Sequence, residues 1–128
     1  MTTTLQKILY VEDDDLIAEI VVMTLEDLGG FEVVHASSGK EALSIFPVFQ
    51  PQLILLDVMM PGMDGVETLK NIRELESDTH VPAVFVTAKA QAHEQDLYTS
   101  FGAVGVIVKP FDPETLCAKI DAFYQASL

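Results

Sequence analysis

An aspartate, Asp57, closes a run of four apolar residues, Leu53-Ile54-Leu55-Leu56. An unbroken apolar run of this kind reads as a strand buried on both faces, as found inside a parallel sheet. Three other runs also stop at polar groups. Lys7–Val11 ends at Glu12-Asp13-Asp14-Asp15, Pro82–Val86 at Thr87, and Val104–Val108 at Lys109. In open parallel sheets, ligands bind beyond the carboxyl ends of the strands, near the point where strand order reverses. Carboxylates brought within ~4 Å of one another repel by ~4 kcal/mol per pair at an effective dielectric of ~20, so a cation is needed to offset them. Mg²⁺ prefers oxygen ligands and takes one or two carboxylates together with water and a phosphate oxygen. Glu12, Asp13 and Asp57, with Lys109 as a further positive charge and Thr87 as a hydroxyl donor, therefore describe a site for a phosphoryl group. A lone acid at a strand end reads equally well as a solvated cap. The convergence of four strand ends favours the site.

The elements that must position these groups follow from periodicity and from capping residues. After the first strand, Leu16, Ile17, Ile20, Val21, Thr24, Leu25 and Leu28 fall at helical spacing, with Asp14 or Asp15 as cap and Gly29-Gly30 as stop. Phe31–Ala36 is the second strand. Ser38-Gly39-Lys40-Glu41 is a capping box that opens a short helix through Ala42, Leu43 and Phe46. Pro47 and Pro51 are expected to bracket the loop into the central strand. Beyond Asp57, a Pro61-Gly62 turn leads to Asp64 and Glu67, spaced as N-cap and N3, and Val66, Leu69, Ile72 and Leu75 form the buried stripe of the next helix. The fourth strand, Pro82–Thr87, precedes a helix from about Gln91 to Phe101 that has a poor apolar stripe and no strong cap. It is expected to be the most mobile element, and Gly102 ends it. The fifth strand leads to a last helix capped by Asp112, with Pro113 in its first turn and Leu116, Ile120 and Phe123 facing the core. Five strands alternating with five helices imply an α/β doubly wound domain with right-handed crossovers.

A length of 128 residues with 49% hydrophobic residues fits one globular domain over residues 1–128. The formal net charge is −13, from 20 acids against 7 basic residues. That balance disfavours direct nucleic-acid binding, which needs Lys and Arg to displace counterions, and fits binding of cations or of a partner with a basic face. No apolar run reaches membrane-spanning length, and Met1–Lys7 lacks the pattern of a secretory signal. A cytoplasmic address is the expectation. The single cysteine, Cys117, excludes an internal disulfide and reads as a small core residue.

Four segments in order, Ile8-Leu9-Tyr10-Val11-Glu12-Asp13-Asp14, Leu55–Gly65, Val86-Thr87-Ala88 and Val108-Lys109-Pro110-Phe111, resemble the receiver domain of two-component response regulators over nearly the full chain. The resemblance implies a flavodoxin-like (βα)5 fold with a parallel sheet of order 2-1-3-4-5. It implies that Asp57 is the phosphoacceptor, attacking the phosphorus of a phosphohistidine on a sensor histidine kinase or a histidine phosphotransfer domain. Asp13, Asp57 and the backbone carbonyl of Met59 would hold Mg²⁺ (or Mn²⁺), with Glu12 acting through water. Lys109 would pair with the phosphoryl oxygens, Thr87 would hydrogen-bond them, and the Lys109-Pro110 bond would be cis. Met59 and Lys89 occupy positions that tune phosphoryl lifetime in relatives. Such a domain is a switch that assists its own phosphorylation and dephosphorylation and is not an enzyme in the usual sense. It signals to a downstream effector protein or a fused output domain, or passes the phosphoryl group on. The face of the fourth helix, fifth strand and fifth helix is the family's usual interaction surface, so a monomer or a weak dimer through it is expected.

One departure stands out. The family often carries an aromatic residue three positions before the lysine, and here that position is Val106. A stiff β-branched side chain cannot act as an aromatic rotamer switch. Output is then expected to pass through the Thr87 loop and the fourth helix, and hydrogen exchange unaltered in that helix on phosphorylation would count against this. Three other functions compete. A phosphorylation-independent binding module is disfavoured by the intact acid pair, Asp57, Thr87 and Lys109. An aspartyl-phosphate phosphatase would need an acid where Met59 stands. A flavin-binding domain would need backbone donors where the first loop is acidic. Asp14 and Asp15 read as helix-capping acids, and His35, His80 and His93 as surface or structural residues. Met59, Met60 and Met63 read either as a docking surface or as loop packing. Glu67, Glu74, Glu76 and Asp78 with Lys70 and Arg73 read as a solvated helix face. The sequence leaves open whether the chain acts alone or within a longer protein.

Overall fold

A computed structural model of the chain describes residues 4–76, 80–88 and 91–128. Five strands, β1 (Lys7–Val11), β2 (Glu32–Ala36), β3 (Leu53–Asp57), β4 (Ala83–Thr87) and β5 (Ala103–Val108), alternate with five helices. These are α1 (Asp15–Asp27), α2 (Gly39–Phe49), α3 (Gly65–Leu75), α4 (Ala92–Ser100) and α5 (Pro113–Ala126). The strands form one sheet in the order β2-β1-β3-β4-β5, with every neighbouring pair parallel, as expected. Strand alternation sends Ile54 and Leu56 to the core beneath α2, α3 and α4, and Leu53 and Leu55 to the core beneath α1 and α5. All five residues of β3 are buried. Full burial of one such aliphatic side chain is worth about 1.5–3 kcal/mol, so a strand covered on both faces stays apolar up to its functional end.

Helix starts follow the capping residues. Asp14 accepts from the Leu16 and Ile17 amides, Ser38 from Glu41, Asp64 from Glu67, and Asp112 from Glu114 with Pro113 beside it. The Lys109-Pro110 bond is cis. In α4, Gln91 makes no side-chain cap. The Tyr98 ring, centred 5.2 Å from that of Phe85, anchors this helix on β4.

Several expectations are corrected. Pro47 does not begin a loop but lies inside α2, which continues to Phe49 and ends at Gln50 in the left-handed region, φ 52°. An internal proline loses one hydrogen bond and crowds the preceding turn. Here the final turn is tied down instead, because Lys7 Nζ donates to the Phe49 carbonyl and lies 4.6 Å from its ring centroid. In α1 and at its C-cap, Leu16, Ile20 and Leu28 are exposed, whereas Ala18, Val21, Thr24 and Leu25 are buried. Wedged between the sheet and α5, the helix hides a narrower stripe than its apolar spacing offers. In α3, Leu75 is exposed, and Thr68 is buried with its hydroxyl satisfied by the Asp64 carbonyl at 2.7 Å. In α5, Phe123 is only half-buried, and the adjacent Tyr124 takes the core position.

On the expected solvated face of α3, Glu67, Lys70 and Glu74 are exposed as expected, but Arg73 and Glu76 are not. Arg73 donates to Glu76 Oε1 at 2.8 Å and to the Val81 carbonyl at 2.7 Å, while Glu76 accepts from the Val81 amide. The Glu76 side chain is only 3% exposed. These two residues fasten the end of α3 to the approach of β4, away from the acidic strand ends. Asp78, assigned to the same face, and Lys89 lie outside the described residues. No helix among the described residues is long and apolar enough to cross a membrane.

Candidate functional site

Parallel pairing brings the carboxyl ends of β1, β3, β4 and β5 to one edge of the sheet. Asp57 is opposite Val86 in the ladder, and Val58 N donates to the Val86 carbonyl at 3.1 Å. Thr87, the next residue of β4, is buried, and its carbonyl accepts from Lys109 N at 2.8 Å. Glu12 follows β1 directly, and its amide donates to the Ala36 carbonyl at 3.0 Å. The backbone ladder thus sets where each of these side chains begins.

The side chains then converge. Lys109 Nζ lies 3.2 Å from Asp57 Oδ1 and 3.2 Å from Glu12 Oε1. Carboxylate oxygens of Glu12, Asp13 and Asp57 all lie within 4.8 Å of one another. Glu12 and Asp57 are buried and Asp13 is exposed, so the cluster is open to solvent on one side. Burial, and next the Asp57 carboxylate, raise the Glu12 pKa above the usual glutamate value, with Lys109 opposing the rise. Burial alone would lower the Lys109 pKa. The negative charges of Asp57 and Glu12 outweigh that effect and hold it above the ordinary lysine value. One ammonium thus faces a carboxylate pair whose mutual repulsion it only partly relieves.

An all-oxygen set this compact suits a hard divalent cation and can hold a metal ion. Met59 lies two residues beyond Asp57 in the loop before α3, with an exposed side chain. Asp14 serves α1 as its cap, and Asp15 opens the first turn of the same helix. His35 has the structural role expected of it, with Nε2 2.8 Å from the Glu12 carbonyl oxygen.

Two neighbours of the site carry no warning in the residue-type pattern. The Tyr10 hydroxyl donates to Glu12 Oε1 at 3.3 Å, and burial, with the Glu12 charge next, raises the phenol pKa. The one available signal is that positions 10 and 12 share a strand face. Gly65 starts α3 against the site, its amide donating to the Val58 carbonyl at 3.0 Å. The signal there is a glycine directly after the cap Asp64, where a side chain would be the norm.

The chain is similar to known proteins over nearly its whole length. A family model described as "Response regulator receiver domain" matches residues 8–121. The DNA-binding response regulator MtrA of Mycolicibacterium smegmatis is 37% identical over 122 residues, covering 95% of this chain and 52% of that protein. The transcriptional regulatory protein CseB of Streptomyces coelicolor is 38% identical over 115 residues, covering 90% of this chain and 47% of that one. The chain therefore spans about half the length of the curated relatives it matches. Among solved structures, the chemotaxis protein CheY4 of Vibrio cholerae superposes with a TM-score of 0.86 at 33% identity, covering 94% of this chain and 99% of that one. The chain belongs to the response regulator receiver domains of two-component signalling, a family whose general function is that of a phosphoryl-accepting switch.

Proposed function

We infer that Asp57 is the residue that accepts the phosphoryl group, from a phosphohistidine on a sensor histidine kinase or histidine phosphotransfer domain. The observation that carries this reading is Lys109 Nζ, 3.2 Å from Asp57 Oδ1 inside the acidic cluster. An Asp57 carboxylate oxygen attacks phosphorus, the P–N bond breaks, and the imidazole leaves. Lys109 neutralises charge on the acceptor and on the transferred oxygens, and Thr87 supplies a hydroxyl beside them. Glu12, Asp13 and Asp57, with the Met59 carbonyl, would hold Mg²⁺ (or Mn²⁺), which when bound neutralises the negative oxygens of the transferring group. The protein's part is positioning and charge compensation, most of what this chemistry needs.

On this reading, residues 1–128 act as one receiver unit in the cytoplasm, a phosphoacceptor rather than a classical enzyme. Its partners are the phosphodonor and a downstream effector or a fused output domain. Since relatives are named as DNA-binding and transcriptional regulators, a DNA-binding output is the best-supported kind. The net charge of −13 argues that this domain does not itself touch DNA. Self-association, where it occurs, would be weak and use the α4–β5–α5 face.

The test is intact-protein mass after incubation with a small-molecule phosphodonor, with and without Mg²⁺, beside Asp57→Asn. One phosphoryl gain that requires Mg²⁺ and disappears in the variant is expected. No gain under any condition would replace this reading with a phosphorylation-independent docking domain.

A further inference from the structure

Glu12 is held from several directions, and one of its holders lies outside the set of groups that act on phosphorus. Its amide donates to the Ala36 carbonyl at 3.0 Å, and its carbonyl oxygen is 2.8 Å from His35 Nε2. At the carboxylate, Oε1 accepts from both the Tyr10 hydroxyl, at 3.3 Å, and Lys109 Nζ, at 3.2 Å. The other oxygen, Oε2, accepts from the Asp14 amide at 3.4 Å, so the Tyr10 and Asp14 contacts are both longer than usual for their type. The two carboxylate oxygens are therefore unequal. Oε1 meets two donors and Oε2 one, so Oε2 keeps the greater capacity to accept.

A buried tyrosine needs an acceptor for its hydroxyl, and any nearby carbonyl would meet that need. Tyr10, 1% exposed in the core beneath α1 and α5, uses the site's own carboxylate, on the oxygen that Lys109 also holds. A carboxylate with two donors on one oxygen has lost part of its freedom to rotate before any ligand arrives. Fixing it in advance removes an ordering cost from the binding step, the general advantage of preorganisation.

We propose that Tyr10 is a positioning residue for the acidic site, its hydroxyl clamping Glu12 Oε1 beside Lys109 so that Oε2 is presented to a bound divalent cation or its water. This rests on reading Glu12, Asp13 and Asp57 as a cation site. Tyr10→Phe keeps the ring in the core and deletes only the donor. Without it, Lys109 alone holds Oε1 among the described residues, and the carboxylate can swing.

The experiment is Mg²⁺ titration calorimetry on four proteins: wild type, Tyr10→Phe, Glu12→Ala and the double variant, with the Tm of each recorded in EDTA. Tyr10→Phe is expected to raise the Mg²⁺ Kd about fivefold in the wild-type background, as loss of one hydrogen bond implies. In the Glu12→Ala background the same change is expected to shift Kd by less than about twofold, since the group Tyr10 acts through is gone. A lowered Tm with an unchanged Kd would reduce Tyr10 to a core residue and overturn the proposal. So would an equal change in Kd in both backgrounds. Wild-type protein that binds no Mg²⁺ would overturn the cation reading and this proposal with it, whereas wild type that binds while Tyr10→Phe binds equally well would overturn the proposal alone.

Discussion

Gly65 approaches Asp57 so closely that a β-carbon at position 65 would stand 2.3 Å from the Asp57 carbonyl oxygen. The start of α3 therefore rests directly on the backbone of the residue that carries the site. Gly65→Ala must push either the helix or the end of β3 aside, at a cost of about 1–3 kcal/mol for such overpacking. We expect both lower stability in urea and slower phosphoryl gain, because Asp57 moves relative to Lys109. Unaltered phosphorylation in a destabilised variant would show that the helix yields and the strand does not.

Glu12 makes stability depend on pH. Its pKa is raised above the ordinary value of 4.5, first by burial and then by Asp57, so the folded chain holds a proton at pH values where the unfolded chain has lost it. The stabilisation is complete below the unfolded value and disappears as pH rises through the folded one. In metal-free protein, lowering the pH from neutral toward 4.5 should therefore stabilise wild type relative to Glu12→Gln, which cannot titrate. Urea unfolding at stepped pH measures the difference. A flat difference across that window would mean that Lys109 fully offsets the burial of Glu12.

Arg73 and Glu76 should matter for folding and not for phosphoryl chemistry. Arg73→Ala leaves a Glu76 side chain that is 3% exposed without its countercharge, holding only the Val81 amide, and frees the Val81 carbonyl. Removing one partner of such a pair costs about 2–3 kcal/mol, discounted for the partial exposure of the arginine. The residues lie at the amino end of β4, whereas Thr87 lies at its carboxyl end. Chemical denaturation should show the loss, and the Mg²⁺-dependent mass gain should be unaffected once the protein is folded.

The positions of Asp57, Thr87 and Lys109 were legible because each ends an apolar run, and a parallel sheet collects such ends on one edge. The caps Asp14, Ser38, Asp64 and Asp112 were legible because short polar side chains ahead of an amphipathic stretch have few other uses. The α1 stripe was less so. Leu16, Ile20 and Leu28 fit helical spacing as well as Val21 and Leu25 do, and only the neighbouring sheet and α5 decide which are covered. Pro47 misled because a local penalty was outweighed by contacts from Lys7, distant in sequence. Arg73 and Glu76 look like any exposed charge pair until Val81 folds back between them. Within the site, the Tyr10 bond and the Gly65 approach depend on sub-ångström placement, which residue types do not encode.

The order β2-β1-β3-β4-β5 makes the site depend on the last strand of the chain. Asp57 sits in the middle of the sheet, but the lysine beside it arrives on the last strand, which can join only at the edge offered by β4. Without β5, the end of β3 would present an acid without the ammonium that stands 3.2 Å from it in the finished fold. The proposed acceptor site is therefore complete only once β5 has joined the sheet and set Lys109 beside Asp57.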